Sequence, residues 1–209
     1  MNLPFVVALL GAESTGKTTL SQDLAATLAA AGRDVTVVPE YLREFCVLHG
    51  RTPRRDEQRG IAAEQTRRIK EAARRHAIVI ADTTALMIAV YSDHVFGDPS
   101  LYAEAEAAHA ICGLSLLTAL DLPWQADGLQ RDGPHVREPV DTLVRASLAR
   151  TGQPWSVVFG TGASRQQAAL ASVERALAPP PTTQEATRWH LQCERCGDAA
   201  CERHRLPRV

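Results

Sequence analysis

The sequence predicts a three-layer α/β fold, in which helices cover both faces of a five-stranded, mainly parallel sheet. Short apolar runs alternate with helical stretches along the chain, which is the pattern of strands joined by helical crossovers. The runs are rich in Val, Ile and Leu and show no polar alternation, as expected of strands buried on both faces. With 209 residues, of which 45% are apolar and 22% charged, the chain is long enough for one such core.

The predicted strands and helices follow one another in regular order. The first helix is rich in Ala and Leu and is predicted to end at Gly32, which suits a helix C-terminus. The predicted strands are Phe5–Leu10, Val35–Val38, Ala77–Ala81, Leu114–Ala119 and Ser156–Phe159. The predicted helices are Lys17–Ala31, Tyr41–His49, Glu57–Arg75, Thr84–His94, Leu101–Ile111, Arg137–Arg150 and Ser164–Ala178.

A proline run divides the chain. Pro179-Pro180-Pro181 is a stiff break, and the tail beyond it is too small to fold around an apolar core of its own. The sequence therefore predicts a main domain over residues 1–178, a linker over 179–185 and a Cys/His tail over 186–209.

Charge and hydropathy exclude several classes of partner. The net charge of −1 gives no general attraction to nucleic acid or to an anionic membrane. No run approaches the roughly 18 apolar residues that a membrane span requires. The apolar stretch Leu3–Leu10 lacks a basic leader and is predicted to be a strand rather than a signal peptide, so the expected location is the cytoplasm.

A phosphate-binding motif joins the first strand to the first helix. Gly11-Ala12-Glu13-Ser14-Thr15-Gly16-Lys17-Thr18 fits G-x-x-x-x-G-K-[ST], in which the glycines let backbone N–H groups turn towards phosphate oxygens. We expect Lys17 to reach the β- and γ-phosphates of ATP and the Thr18 hydroxyl to bind Mg²⁺. The predicted ATP-binding set is Gly11, Glu13, Ser14, Thr15, Gly16, Lys17, Thr18, Thr19 and Arg165.

Two carboxylates are predicted at the edge of the sheet that carries this loop. Asp82 follows the third strand and is interpreted as a second Mg²⁺ ligand, although an Asp here also suits a helix N-cap. Glu40 follows the second strand and is placed to accept the proton of a substrate hydroxyl, or only to favour the start of a helix. The sequence leaves open which of the two is the base.

The segment from Asp121 to Arg137 has the composition of a lid. It contains a tryptophan, glycines and two arginines, Arg131 and Arg137. An arginine carried by a closing lid offsets the charge on a transferring phosphoryl group, and Arg131 is the predicted catalytic one. A simple surface loop is the alternative.

Four of these motifs together resemble a known family. GAESTGKT at 11–18, EYLREF at 40–45, Asp82-Thr83 after an apolar strand, and PWQADGLQR at 123–131 are similar to the ribosylnicotinamide kinase domain of NadR-type NAD biosynthesis proteins. The resemblance runs from about residue 3 to residue 178. It implies phosphorylation of nicotinamide riboside by ATP, giving nicotinamide mononucleotide.

The resemblance also implies residue roles. Glu40, Tyr41 and Arg43 would line a nucleoside pocket, and Gln65 would read the amide of the base, although a glutamine on a polar helix is often only solvated. Trp124 and Asp127 would belong to the riboside side of the lid.

The sequence departs from the family pattern in two respects. The chain starts directly at the kinase strand, so the adenylyl-transfer and repressor activities of the bifunctional relatives are not expected. Gln130 separates Leu129 from Arg131, whereas the family more often has Leu and Arg adjacent, which leaves the assignment of the lid arginine open.

The tail carries a pattern of metal ligands. Cys193, Cys196, Cys201 and His204 supply four ligands with the spacing of a small structural zinc site, with His190 as a substitute ligand. A tail with free thiols and a redox site are the alternatives. We expect the tail to dock on the main domain, to mediate dimerisation or to bind a partner protein.

Two functions from different classes fit these features. The first is an ATP- and Mg²⁺-dependent kinase for a nucleoside-like hydroxyl, with nicotinamide riboside favoured. The second is an ATP-binding regulatory switch without small-molecule kinase activity. A kinase requires a second cavity beside the phosphate loop, whereas a switch does not.

Overall fold

A computed structural model describes residues 4–125 and 133–178 of the chain. The chain divides into two units, Met1–Leu177 and Ala178–Val209, and the first carries all the elements given below. The predicted tail, including Cys193, Cys196, Cys201 and His204, lies outside the described residues, as do Asp127 and Arg131.

Five parallel strands form one sheet. They are β1 (Phe5–Leu10), β2 (Val35–Val38), β3 (Ile78–Asp82), β4 (Cys112–Thr118) and β5 (Trp155–Val158), in the spatial order β2-β3-β1-β4-β5. The predicted strands are confirmed to within two residues at each end. Because β1 lies between β3 and β4, the crevice at its carboxyl end is the place where a sheet of this kind binds ligands.

Seven α-helices connect and cover the strands in the described residues. The helices are α1 (Lys17–Ala30), α2 (Tyr41–His49), α3 (Gln58–Ala73), α4 (Ala85–Phe96), α5 (Tyr102–His109), α6 (Arg137–Thr151) and α7 (Gly162–Leu177). Their order and bounds confirm the predicted helices closely. Short 3₁₀ turns precede α3, α5 and α6.

The core has two layers, one on each face of the sheet. Val7 and Leu9 of β1 face the layer that contains apolar residues of α1 and α7. Val6, Ala8 and Leu10 face the layer that contains apolar residues of α3, α4, α5 and α6. Successive side chains of a strand point to opposite faces, so a continuous apolar run fills both layers. The predicted three-layer α/β architecture is therefore confirmed.

Candidate active site at the carboxyl end of the sheet

The loop between β1 and α1 curls tightly at its two motif glycines. Gly11 and Gly16 have φ values of 147° and 74°, which favour glycine. A Cβ at Gly11 would come within 2.1 Å of Thr118 Oγ1, so a side chain there would clash. Lys17 Nζ donates hydrogen bonds to the carbonyls of Gly11 (2.9 Å) and Ala12 (2.8 Å). The N-terminus of α1 then points its N–H groups towards the concave side, where they favour an anion.

A buried threonine at the end of β4 supports the loop from behind. The Thr118 hydroxyl donates to Thr15 Oγ1 at 2.7 Å, and the Thr15 hydroxyl donates to the Ala12 carbonyl at 2.8 Å. Thr118 Oγ1 also lies 3.0 Å from the Leu10 carbonyl. Both hydroxyls are fully buried, so this chain of bonds is shielded from water. Sequence reasoning missed Thr118, because nothing in its local pattern distinguishes it from any other residue at a strand end.

Arg165 has a supporting position, in contrast to its predicted place in the ATP-binding set. The residue is 5% exposed and does not line the cavity described below. Its guanidinium donates to the Thr15 carbonyl at 2.7 Å, to the Gly160 carbonyl at 3.0 Å and to Asp121 Oδ1 at 3.1 Å. The Arg165 side chain therefore supports the phosphate loop by binding the backbone carbonyl of Thr15.

The carboxylate of Asp121 is held by two groups. Burial acts to raise the pKa of Asp121, but the Gly160 N–H and the Arg165 guanidinium outweigh it and keep this pKa below its usual value. Asp121 therefore stays ionised beside Arg165, which keeps the arginine charge compensated behind the loop.

Asp82 lies next to the phosphate loop because β3 pairs directly with β1. Leu9 of β1 is in register with Asp82, and the Thr18 hydroxyl donates to Asp82 Oδ2 at 2.6 Å. Asp82 is 2% exposed, and its Oδ1 is buried without a hydrogen-bond partner. The structure thus brings together the hydroxyl and the carboxylate that were predicted to serve one cation.

A cavity of about 390 Å³ opens from the phosphate loop. Residues of the loop and the first turn of α1 form one part of its wall. A second part, which we call the α2–α4 part, comes from α2, the start of α3, α4 and the residues that precede them. The α2–α4 part consists of Glu40, Leu42, Arg43, Cys46, Thr52, Pro53, Gln58, Thr83, Met87, Tyr91, Val95 and Phe96.

The α2–α4 part is mixed in character. Leu42, Met87, Val95 and Phe96 are apolar, whereas Glu40 and Arg43 carry opposite charges. Glu40 Oε2 and Arg43 Nε are 3.9 Å apart, which is an ion pair without a hydrogen bond between those atoms. Such a wall suits a molecule that is partly apolar and partly polar.

The cavity also contains a thiol. Cys46 of α2 lines the α2–α4 part and is a free, buried cysteine. Burial raises the pKa of Cys46, and the nearby Glu40 carboxylate raises it further. At neutral pH Cys46 is therefore a protonated, weakly reactive side chain of the wall.

Gln65 does not reach the cavity, which corrects its predicted role. It is fully buried, and its Oε1 accepts a hydrogen bond from the Tyr41 N–H at 2.7 Å. Its Nε2 lies 3.3 Å from the Pro39 carbonyl and 3.2 Å from the Thr83 carbonyl. Each polar atom of the amide is already bonded to the backbone, and the side chain is shielded from the cavity.

Tyr41 also departs from its predicted place in the pocket. Its ring packs in the small apolar cluster around Phe45, Ile61 and Ile88, and the Arg68 guanidinium lies 4.4 Å from the ring centroid. Glu40 and Arg43 line the cavity while Tyr41 does not, because neighbouring positions of a helix point in different directions.

Thr83 is a cavity residue that sequence reasoning did not single out as a binding group. Its φ is 78°, a rare conformation for a β-branched residue. The Thr83 N–H donates to the Leu9 carbonyl at 3.1 Å, and its carbonyl accepts from Gln65. Among the non-glycine residues that the structure describes, only Ser14 (φ 55°) also has a positive φ, and Ser14 too lines the cavity. Strained residues of this kind cluster at functional sites.

The beginning of the predicted lid contacts the phosphate loop. The Gln125 N–H donates to Ser14 Oγ at 2.7 Å, and a Cβ at Gly16 would lie 3.1 Å from Leu122 Cδ1. Trp124 is half-buried and does not line the cavity, and its predicted place on the riboside side of the lid remains a prediction. Asp127 and Arg131 belong to the undescribed stretch 126–132, so their predicted roles remain predictions.

The predicted zinc site has no counterpart within the structure as described. Residues 4–125 and 133–178 contain no cluster of three or more His, Cys, Asp or Glu that could hold a metal ion. The four predicted zinc ligands lie beyond residue 178, and zinc binding by them stays a prediction.

No helix among the described residues is sufficiently long and apolar to span a bilayer.

Comparisons with known proteins agree with this architecture. Residues 6–165 match the profile of an AAA domain family, AAA_28. The chain is also similar to a solved structure described as NadR protein in complex with NR, with a TM-score of 0.70 and 19% identity. That match covers 86% of this chain and 52% of the other, so this chain spans about half of its length. At this identity the likeness concerns the fold alone. No curated protein matches the chain.

Proposed function

The chain belongs to the AAA_28 family of AAA domains, and we propose that it is an ATP- and Mg²⁺-dependent kinase that phosphorylates a hydroxyl of a nucleoside-like acceptor. Nicotinamide riboside is the favoured acceptor. The proposal combines the phosphate loop, which would hold ATP, with the adjoining cavity, which would hold the acceptor.

One observation carries this proposal: the cavity does not end at the phosphate loop. It continues into the α2–α4 part, whose wall combines apolar side chains with the Glu40–Arg43 pair. A regulatory switch needs a nucleotide site but no second compartment beside the phosphates. A kinase needs this compartment to bring a hydroxyl up to the γ-phosphate.

The proposed step is an in-line phosphoryl transfer. The acceptor oxygen forms a bond to the γ-phosphorus while the bond from that phosphorus to the β,γ-bridging oxygen breaks. ADP leaves with the electron pair of the bridging oxygen, and the acceptor hydroxyl proton passes to a carboxylate. Glu40 is the better candidate for this base, because it lines the cavity, whereas Asp82 is engaged with Thr18.

The residues around Asp82 fit a magnesium ion. Mg²⁺ prefers oxygen ligands, and the Thr18 hydroxyl, Asp82 Oδ2 and the unpartnered, buried Asp82 Oδ1 supply them at one place. When bound, the ion would neutralise charge on the β- and γ-phosphates. Lys17 would add a second positive charge beside the phosphates. Glu13 and Lys17 both line the part of the cavity wall that the phosphate loop forms.

Two findings favour nicotinamide riboside among nucleosides. The motifs at 40–45 and 123–131 resemble those of ribosylnicotinamide kinases. The similar solved structure is described as a complex with NR, although that description belongs to the other protein. The volume of about 390 Å³ also lies within the range of small-molecule sites.

The test is an acceptor screen with purified protein, ATP and Mg²⁺. Nucleosides, including nicotinamide riboside, are incubated separately, and products are identified by mass spectrometry. We expect nicotinamide mononucleotide with stoichiometric ADP from the wild type, and a large loss of product with Glu40→Gln. ADP release that no acceptor stimulates would instead support the regulatory-switch alternative and would rule out the kinase.

A further inference from the structure

Helix α3 places two glutamines on the same buried face, seven residues apart. Gln58 and Gln65 are 4% and 0% exposed, and Ile61 lies between them on this face. Their surroundings differ. Every polar atom of the Gln65 amide is bonded to backbone groups. Gln58, in the first turn of the helix, lines the cavity instead.

The amide of Gln58 has no partner in the described part of the protein. No hydrogen bond joins its side chain to residues 4–125 or 133–178, and neither of its polar atoms is sealed away from the cavity. A buried amide without a partner is uncommon, because its donors and its acceptor usually find bonds within the fold. Gln58 thus offers a donor and an acceptor to whatever occupies the cavity.

The other side chains of this wall make the Gln58 amide distinctive. Leu42, Met87 and Phe96 offer no hydrogen bonds. Glu40 and Arg43 lie close enough to compensate each other's charge. The Gln58 amide is neutral and has its two kinds of polar atom side by side. It is therefore suited to a neutral group that also has both a donor and an acceptor.

We propose that Gln58 is a specificity-determining residue that pairs with a carboxamide on the ring of the acceptor. Two amides can form two antiparallel hydrogen bonds, with each N–H₂ donating to the other carbonyl oxygen. A carboxylate in the same place would set an anion against the Gln58 oxygen. A methyl ketone would leave that oxygen without a donor. This inference rests on the proposed kinase function and specifies which part of the acceptor is recognised.

The test compares three ribosides that differ at a single group: nicotinamide riboside, nicotinic acid riboside and 3-acetylpyridine riboside. Binding of each is measured by calorimetry without ATP, and phosphorylation is measured separately. Gln58→Met removes the donor and acceptor while keeping an unbranched side chain of similar length. Gln167→Met, an exposed position on α7, is the matched control for the substitution itself.

We expect the wild type to prefer the carboxamide over the ketone by about tenfold, because the ketone lacks the one hydrogen bond from the acceptor N–H₂ to the Gln58 oxygen and leaves that oxygen unpaired. In Gln58→Met this preference should disappear, mainly through a weaker Kd and a higher KM for nicotinamide riboside. Gln167→Met should keep the wild-type preference. A Gln58→Met protein that still prefers the carboxamide would overturn the inference.

The two proposals fail in different ways. If the wild type binds nicotinamide riboside through Gln58 but forms no product, the kinase proposal fails and the recognition proposal stands. If the wild type forms product and Gln58→Met discriminates as well as wild type, only the recognition proposal fails. Absence of any riboside binding by the wild type would overturn the recognition proposal directly.

Discussion

The side-chain amide of Gln65 donates a hydrogen bond to the carbonyl oxygen of Thr83 at 3.2 Å. The same amide lies 3.3 Å from the Pro39 carbonyl and accepts a bond from the Tyr41 N–H at 2.7 Å. Glu40 stands between Pro39 and Tyr41, and Thr83 follows the end of β3. Gln65 therefore ties together the backbone at the two strand ends that carry the carboxylates of the site.

Replacing Gln65 by methionine should affect both stability and catalysis. The Tyr41 N–H and the carbonyls of Pro39 and Thr83 would lose their bonds to this amide. We expect a loss of about 2–4 kcal/mol in the free energy of unfolding, measured by urea denaturation. Misplacement of Glu40 should lower kcat on the order of tenfold to 100-fold.

Gln58→Met provides the contrast for this variant, because the same substitution is made on the same face of α3. It should leave the urea midpoint near that of the wild type, since the Gln58 amide has no partner within the described residues. Equal destabilisation by the two variants would contradict the distinction between the two glutamines.

Sequence reasoning predicted the elements well because each strand is a continuous apolar run. It also placed Lys17, Thr18 and Asp82 near one another, since the carboxyl ends of parallel strands meet at one edge of a sheet. It could not separate Gln58 from Gln65, because residues seven apart share a helix face. The bond from Arg165 to the Thr15 carbonyl joins residues 150 positions apart, and no local pattern predicts such a contact.

Removing the charge of Asp82 should abolish most activity without unfolding the protein. Asp82→Asn keeps an oxygen that can accept the bond from Thr18, which measures 2.6 Å in the wild type. It would replace a carboxylate with a neutral amide that binds Mg²⁺ weakly. We expect kcat to fall about 100- to 1,000-fold, with the Mg²⁺ concentration for half-maximal rate shifted upwards.

Circular dichroism and thermal melting should show the Asp82→Asn protein folded, since Asp82 Oδ1 has no partner to lose. Near-wild-type turnover at low Mg²⁺ would show that the ion does not use this carboxylate.

Replacing Arg165 should weaken ATP binding without removing any group that lines the cavity. Arg165→Met would leave the carbonyls of Thr15 and Gly160 without this donor and Asp121 without its ion pair. We expect a loss of about 2–4 kcal/mol in stability, measured by urea denaturation. The Kd for ATP, measured by calorimetry, should rise because the phosphate loop loses a backbone support.

Arg165→Lys separates charge from geometry. Lysine keeps the positive charge beside Asp121 but cannot reproduce the forked set of donors, so it should recover only part of the stability. If Arg165→Met lost stability while its Kd for ATP stayed unchanged, the guanidinium would support the fold but not the loop.

Acid should destabilise the protein through His109. This side chain is 1% exposed and contacts Thr84 Oγ1 at 3.1 Å and Ser115 Oγ at 2.8 Å. Burial lowers the pKa of His109 to about 4, whereas an exposed imidazole has a pKa of about 6.5. Between these values the unfolded chain binds a proton that the folded chain does not bind. The free energy of unfolding therefore falls as the pH falls from about 6.5 towards 4.

The expected contribution of His109 is about 2 kcal/mol of lost stability between pH 8 and pH 5. Urea denaturation at both pH values measures the total loss in the wild type, and the same pair of measurements on His109→Gln isolates this residue. Glutamine can hydrogen-bond to Thr84 and Ser115 but does not titrate, so its loss should be smaller by about this amount. Equal losses in the two proteins would mean that His109 is not the group whose protonation opposes folding.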